Sequence, residues 1–219
     1  MNFLVRGILI LGLLLPSLMQ AQESNLGNWL IYIGNKKLNE KWNFHHEIQY
    51  RNYDAIGDLE QLLLRTGLGY TFKENKRNIL LGYGYISSEN YVGETTDKKT
   101  VNEHRIFQQY TSKKTFGKLN LSHRYRFEQR FVESDFKMRL RYFSGLRIPI
   151  KIKEKNNYYF SAYNEVFINT KSTLYDRNRL YGGVGYNVYS GLRLEMGYMN
   201  QFFKNGNRDQ VNLFCFYSF

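Results

Sequence analysis

The sequence is poor in cysteine and proline, and after residue 21 it has no long apolar run. A single cysteine, Cys215, excludes an internal disulfide and acts as a small apolar side chain. Pro149 is the only proline after residue 21, which suits long paired strands because proline interrupts a β-ladder. No stretch of 18 apolar residues follows residue 21, so we expect no transmembrane helix.

The first 21 residues differ from the rest. Arg6 precedes an apolar run at 8–15, and the small residue Ala21 stands before Gln22. This pattern predicts a secretory signal peptide, with an apolar core too short to span a membrane permanently. We expect export through the Sec pathway, cleavage after Ala21, and one mature domain over residues 22–219.

The mature chain is strongly basic. Without Arg6 it has 30 basic and 19 acidic residues, a net charge of +11. Such a charge often indicates nucleic-acid binding, but an exported protein rarely meets nucleic acid and no such motif is present. We therefore expect no nucleic-acid partner.

The remaining sequence alternates apolar and polar residues. In LNLSHRYRFEQRF (119–131), Leu, Tyr and Phe alternate with Arg and Glu. A strand sorts such residues onto two faces, whereas a helix scatters them. The pattern predicts an all-β fold with strands near 27–35, 41–51, 60–73, 78–88, 102–113, 117–131, 136–150, 157–168, 177–188, 191–202 and 209–219.

The strand lengths and connections favour a membrane barrel. The segments are longer than the usual strands of soluble sheets and approach the length that a tilted membrane strand needs. Short, lysine-rich connections such as NKKLNEK alternate with longer or more acidic ones such as SENYVGETTDKKT. We predict an antiparallel up-and-down transmembrane β-barrel of 10–12 strands. Because bacterial single-chain barrels have an even number, eleven segments suggest that one is missing or that the first is not a full wall strand.

The C-terminus supports the same architecture. In QVNLFCFYSF one face carries apolar residues and ends on Phe219, which resembles the signal that outer-membrane barrels present to their insertion machinery. Trp42, Phe72, Tyr85 and Phe219 lie toward segment ends, as expected for interfacial girdles. The expected location is the bacterial outer membrane, with its lipid and lipopolysaccharide as partners. Basic strand ends would suit lipid A phosphates.

Arginine and lysine are segregated along the chain. Within the predicted strands, twelve arginines and five glutamates occupy the same alternating positions, so they share one face of each strand. Nearly all lysines lie in turns or at strand ends. Arginine suits bidentate pairing in confined space, and lysine suits the water interface. If the apolar face meets lipid, the lumen carries an excess of seven positive charges. The twelve are Arg51, Arg65, Arg105, Arg124, Arg126, Arg130, Arg139, Arg141, Arg147, Arg177, Arg179 and Arg193.

A soluble lipocalin-like carrier would invert these faces, and a period of two does not distinguish the alternatives. Three observations favour the membrane: aspartate is expected in loops and not in the middle of strands, the chain has 19 Tyr and 16 Phe, and the last strand ends on an aromatic residue.

The chain resembles a known family in several strings. NEHRIFQQ (102–109), LSHRYRFEQRF (121–131) and MRLRYFSGLRIPI (138–150) are similar to the central signature of a barrel family catalogued as domain of unknown function 2490 and common in Bacteroidota. GNWLIYIG, KWNFHHEIQYR, LLLRTGLGY and ILLGYGYI match its N-terminal half. The resemblance implies an outer-membrane β-barrel and supplies no catalytic residue.

Two functions follow from the charged face. An arginine-rich lumen predicts a narrow porin-like channel or a binding barrel for small anions. The alternative is a structural Arg/Glu network that seals the lumen, because small barrels are filled by their own side chains and buried charges must be paired. The candidate arginines are Arg105, Arg124, Arg126, Arg130, Arg139 and Arg141, and the candidate partners are Glu103, Glu128 and Glu165.

Two other function classes have weaker support. A lipid-modifying enzyme would need a constellation that His45, His46, His104 and His123 do not supply, since His104 and His123 point away from their polar sequence neighbours. We expect no enzyme activity, metal or cofactor. A recognition role for the loops, of which 88–102 is the longest, is a third alternative.

Overall fold

A computed structural model of the chain describes residues 26–55, 57–72, 76–152, 155–171 and 173–219. The expected signal peptide lies outside these ranges. No helix within them is long and apolar enough to cross a membrane. The described chain forms eleven strands: β1 (Gly27–Lys37), β2 (Trp42–Asn52), β3 (Leu59–Phe72), β4 (Arg77–Tyr91), β5 (Lys98–Phe116), β6 (Leu119–Val132), β7 (Asp135–Ile152), β8 (Lys155–Asn169), β9 (Tyr175–Tyr189), β10 (Leu192–Phe203) and β11 (Gly206–Ser218).

The strands form one closed barrel in which each strand pairs antiparallel with the next. The barrel closes through a parallel pairing of β1 with β11, in register from Gly27 opposite Gln210 to Asn35 opposite Ser218. Eleven strands lie within the predicted range, but the expected even number is wrong because β1 is a full wall strand. An odd number also places the start of β1 and the C-terminus at opposite ends of the barrel.

The two ends of the barrel differ in their connections, in part as predicted: three connections at one end span five or six residues, but two at that end, 133–134 and 204–205, are two-residue turns. The short, lysine-rich turns lie at the other end together with the C-terminus, and we call this the lysine-rich end. The other connections lie at the opposite end, called here the loop end. At the loop end, Asp58 accepts a hydrogen bond from Tyr91 at 2.6 Å and pairs with Lys98. Although partial burial opposes the effect, these hydrogen bonds lower the pKa of Asp58.

The two faces of the wall are sorted by polarity. All twelve strand arginines and the five in-phase glutamates share the inward parity of their strands, and most of them are buried. Apolar side chains face outward on every strand. Examples in chain order are Leu30, Ile48, Leu64, Leu81, Ile106, Tyr125, Leu140, Phe160, Leu180, Met196 and Leu213, all exposed.

Two expectations about individual residues need correction. Tyr85 lies in the middle of β4 rather than near its end, because β4 continues to Tyr91. Aspartate is not confined to loops, since Asp176 lies in β9 and Asp209 in β11. Asp176 sits at an irregularity in the β8–β9 register, which lets its carboxylate reach Arg139 inside the barrel.

Candidate functional site

Glu128 on β6 is the centre of the buried charge network. Its side chain is 0% exposed. Arg139 donates two hydrogen bonds to Oε2 at 3.0 and 2.7 Å, and Arg141 donates one to Oε1 at 2.8 Å. Arg126 lies 3.7 Å from the same Oε1. Since Arg139 and Arg141 project from the neighbouring strand, the antiparallel register of β6 and β7 brings these charges together.

Glu103 organises a second group on β5 and β6. Arg105, two residues further along β5, donates Nη2–H to Oε2 at 2.9 Å and also pairs with Oε1. Arg130 on β6 donates to both carboxylate oxygens, at 2.6 and 2.8 Å. Two arginines thus share one carboxylate.

Glu165 on β8 organises the third group. Its Oε1 accepts hydrogen bonds from Arg124 at 2.7 Å and from Arg141 at 3.1 and 2.7 Å. Arg126 instead donates to Gln109 at 2.9 and 2.6 Å. All nine candidate residues therefore meet inside the barrel, and Arg141 links the Glu128 and Glu165 groups.

Aromatic rings inside the lumen were not among the sequence candidates. Phe167 is contacted by Arg139, Arg141, Arg177 and Arg179, with guanidinium carbons 4.4–5.9 Å from the ring centre. The ring centre of Trp29 lies 3.8 Å from the guanidinium carbon of Arg51 and 4.8 Å from that of Arg179. Both contacts are of the cation–π type. The sequence does contain a signal for Phe167. It follows Glu165 by two residues, so on a strand it must lie on the same face.

A cavity of ≈ 410 Å³ occupies the lumen on the side of the lysine-rich end. Its lining contains ten cationic side chains and three carboxylates, an excess of seven positive charges. The floor includes Trp29, Arg51 and Arg179, and the mouth includes Lys113 and Arg193. Lys113 was also missed by the sequence analysis, because it lies near a strand end.

Several inward side chains outside this cavity are buried. Glu103, Arg105, Glu128 and Arg139 do not line the cavity. Every strand contributes an inward side chain that is at most 8% exposed. We infer that these buried side chains form a closed layer across the lumen. They include Trp29, Arg51, Leu63, Ile86, Arg105, Glu128, Arg139, Phe167, Arg179, Met199 and Asn212.

The histidines are placed as their phase predicts. His45 lies inside, 3.5 Å from Glu47. The other three face outward, each hydrogen-bonded to a tyrosine of an adjacent strand: His46 to Tyr32 at 3.0 Å, His104 to Tyr83 at 2.5 Å and His123 to Tyr142 at 2.9 Å. Within the described ranges, no group of three or more His, Cys, Asp or Glu side chains is arranged to hold a metal ion.

A family match covers most of the barrel. Residues 26–212 match the family described as "Protein of unknown function (DUF2490)", from just before β1 into β11. The chain belongs to this family. No curated protein and no solved structure matches this chain. Membership in DUF2490 therefore agrees with the resemblance noted in the sequence and assigns no activity.

Proposed function

We propose that this chain is an outer-membrane β-barrel that binds small anions in a cationic lumen open toward the lysine-rich end. The observation that carries the proposal is the pairing of an apolar outer surface with a cavity lined by an excess of seven positive charges.

The polarity of the wall supports membrane insertion. Soluble monomers rarely expose contiguous apolar surface beyond a few hundred Å², whereas here every strand presents large apolar side chains to the outside. A closed barrel satisfies the backbone hydrogen bonds that lipid cannot satisfy. Outward aromatic residues near the strand ends, such as Trp42 with Tyr70 and Phe131 with Phe136, suit the two membrane interfaces.

The ends of the barrel support an orientation. Outer-membrane barrels have short periplasmic turns and longer extracellular loops. The lysine-rich end carries short turns and Phe219, the proposed insertion signal, so we assign it to the periplasm. The anion-binding cavity then opens toward the periplasm, and insertion machinery and outer-membrane lipids are the expected partners.

The cavity supports anion binding rather than free passage. Positive charge within low-dielectric walls focuses the field and concentrates anions. The closed layer around Glu128 lies between the cavity and the loop end. The Arg/Glu network thus has the sealing role of the structural alternative, while the cavity beside it retains uncompensated cations.

Titration calorimetry of the refolded barrel in uncharged detergent tests anion binding. We expect saturable binding of sodium sulfate that weakens as ionic strength rises. Arg124→Ala should weaken it roughly tenfold, the scale of one charge-assisted hydrogen bond. Arg124 suits the test because Glu165 keeps Arg141 when Arg124 is removed. Lys118→Ala, in a turn at the same end, should leave the affinity unchanged.

A planar lipid bilayer tests closure of the lumen. The parent protein should insert without discrete current steps, because the layer around Glu128 is filled. Discrete anion-selective steps across a salt gradient would show instead that the layer opens and that the barrel is a channel.

In the calorimetry experiment, sulfate binding that is absent from the parent, or unchanged in Arg124→Ala, would contradict the anion-binding proposal.

A further inference from the structure

Three cations at the mouth of the cavity differ from the paired arginines deeper inside. Lys113 on β5, Arg147 on β7 and Arg193 on β10 all line the cavity near the lysine-rich end. They lie close enough to repel one another electrostatically. Within the described chain none of them forms an ion pair, whereas Arg124 and Arg141 share Glu165. A bound anion would relieve their mutual repulsion.

The two arginines are held by aromatic rings rather than by carboxylates. Arg193 lies 4.6 Å from the ring centre of Phe216, its direct cross-strand partner, and Arg147 lies 5.3 Å from that of Tyr159. An arginine stacked on a ring keeps the N–H donors at its edge for an oxyanion. The buried Nε of Arg193 has no hydrogen-bond partner in the described part of the chain. Among the described residues, the site therefore holds an unused donor on Arg193 and three cations without an ion-pair partner, and the one carboxylate whose charge acts on Arg193 is that of Glu195 in the same lining.

The number and type of cations favour one class of anion. Two planar guanidinium groups and one ammonium together match a dianionic tetrahedral group, which offers several acceptor oxygens and two charges. A monovalent carboxylate would leave two of the three positive charges uncompensated. A phosphate monoester fits this arrangement.

One part of the cavity wall is apolar. Ile31 and Ile33 on β1 and Phe214 on β11 face into the same cavity, and Phe214 and Phe216 stack with ring centres 5.4 Å apart. These side chains interrupt a lumen that is otherwise mostly polar. A ligand held at the three cations would thus place its remaining part against aromatic and aliphatic side chains.

We propose that Lys113, Arg147 and Arg193 form the head-group site for an amphipathic phosphate monoester, whose apolar part packs on Ile31, Ile33 and Phe214. This inference rests on the proposed anion-binding function and specifies its ligand class. The phosphate can belong to a soluble ester or to the head group of a lipid.

Titration calorimetry in uncharged detergent micelles tests the site with phenyl phosphate, inorganic phosphate and phenol. Phenyl phosphate should bind more tightly than inorganic phosphate, and phenol should not bind. Arg147→Gln and Arg193→Gln should each weaken phenyl phosphate binding by roughly tenfold or more, because each removes a charge-assisted contact. Lys118→Gln, at the same end but outside the cavity, should have no effect.

The outcomes separate this site from the broader proposal. Phenyl phosphate binding that is unchanged in both arginine variants, or phenol binding as tightly as its phosphate, overturns the site. If sulfate binding survives in that case, the proposed function stands. A parent protein that binds no anion overturns both. Competition by added phosphatidic acid would support the site and identify a lipid head group as the source of the phosphate. If phenyl phosphate binds but phosphatidic acid does not compete with it, the result would support a soluble ester.

Discussion

Replacing Glu128 by Gln should destabilise the barrel by about 3–5 kcal/mol, the usual cost of leaving a buried ion-pair partner uncompensated. The variant removes the negative charge that Arg139 and Arg141 share in a fully buried position. The amide supplies one acceptor but no charge, so the surrounding arginines repel one another. Urea unfolding of the refolded protein in lipid vesicles, followed by tryptophan fluorescence, measures the effect.

Glu94→Gln is the matched control. Glu94 is exposed between β4 and β5, so its replacement by Gln makes the same chemical change outside the buried network. Its free energy of unfolding should stay within about 0.5 kcal/mol of the parent value. Equal stabilities of the Glu128 and Glu94 variants would contradict the assignment of Glu128 as the centre of the closed layer.

Replacing Leu64 by Lys should destabilise the protein in lipid vesicles by about 2–4 kcal/mol, the cost of a lysine at the membrane midplane of a β-barrel. Leu64 lies near the middle of β3, is 40% exposed, and is flanked by Ile48 and Tyr85 on the neighbouring strands. On a soluble barrel the same change would place an ammonium in water at little cost. The same urea titration distinguishes the two environments.

Leu119→Lys controls for the chemical change itself. Leu119 is the first residue of β6 and is 41% exposed, so its lysine reaches the interface. The expected cost is about 0–1 kcal/mol. If both lysine variants are as stable as the parent, the outer face of the barrel does not lie in lipid.

Much of the wall was predictable because a strand has a strict period of two. Once Arg124, Arg126, Glu128 and Arg130 are assigned to one strand, their common face follows from backbone geometry alone. The same reasoning paired Glu103, Glu128 and Glu165 with arginines. What the chain alone leaves open is which face is inside, because alternation is symmetrical.

The remaining features depend on register between strands that are distant in sequence. The parallel closure of β1 on β11 joins Trp29 to Asn212, a contact with no local signal. A register irregularity brings Asp176 to Arg139. The three cations of the mouth come from β5, β7 and β10, so only the closed barrel brings them together.

Quenching of single tryptophans by brominated lipids tests the central claim that the apolar face lies in the membrane and the arginine face inside. The chain has two tryptophans: Trp42 faces outward at 40% exposure, and Trp29 faces inward at 3%. Trp29→Phe leaves Trp42 as the only reporter, and Trp42→Phe leaves Trp29. In vesicles of lipids brominated near the head group, the account predicts strong quenching of Trp42 and little quenching of Trp29. Strong quenching of Trp29, or a Trp42 that water-soluble acrylamide quenches while brominated lipids do not, would contradict it.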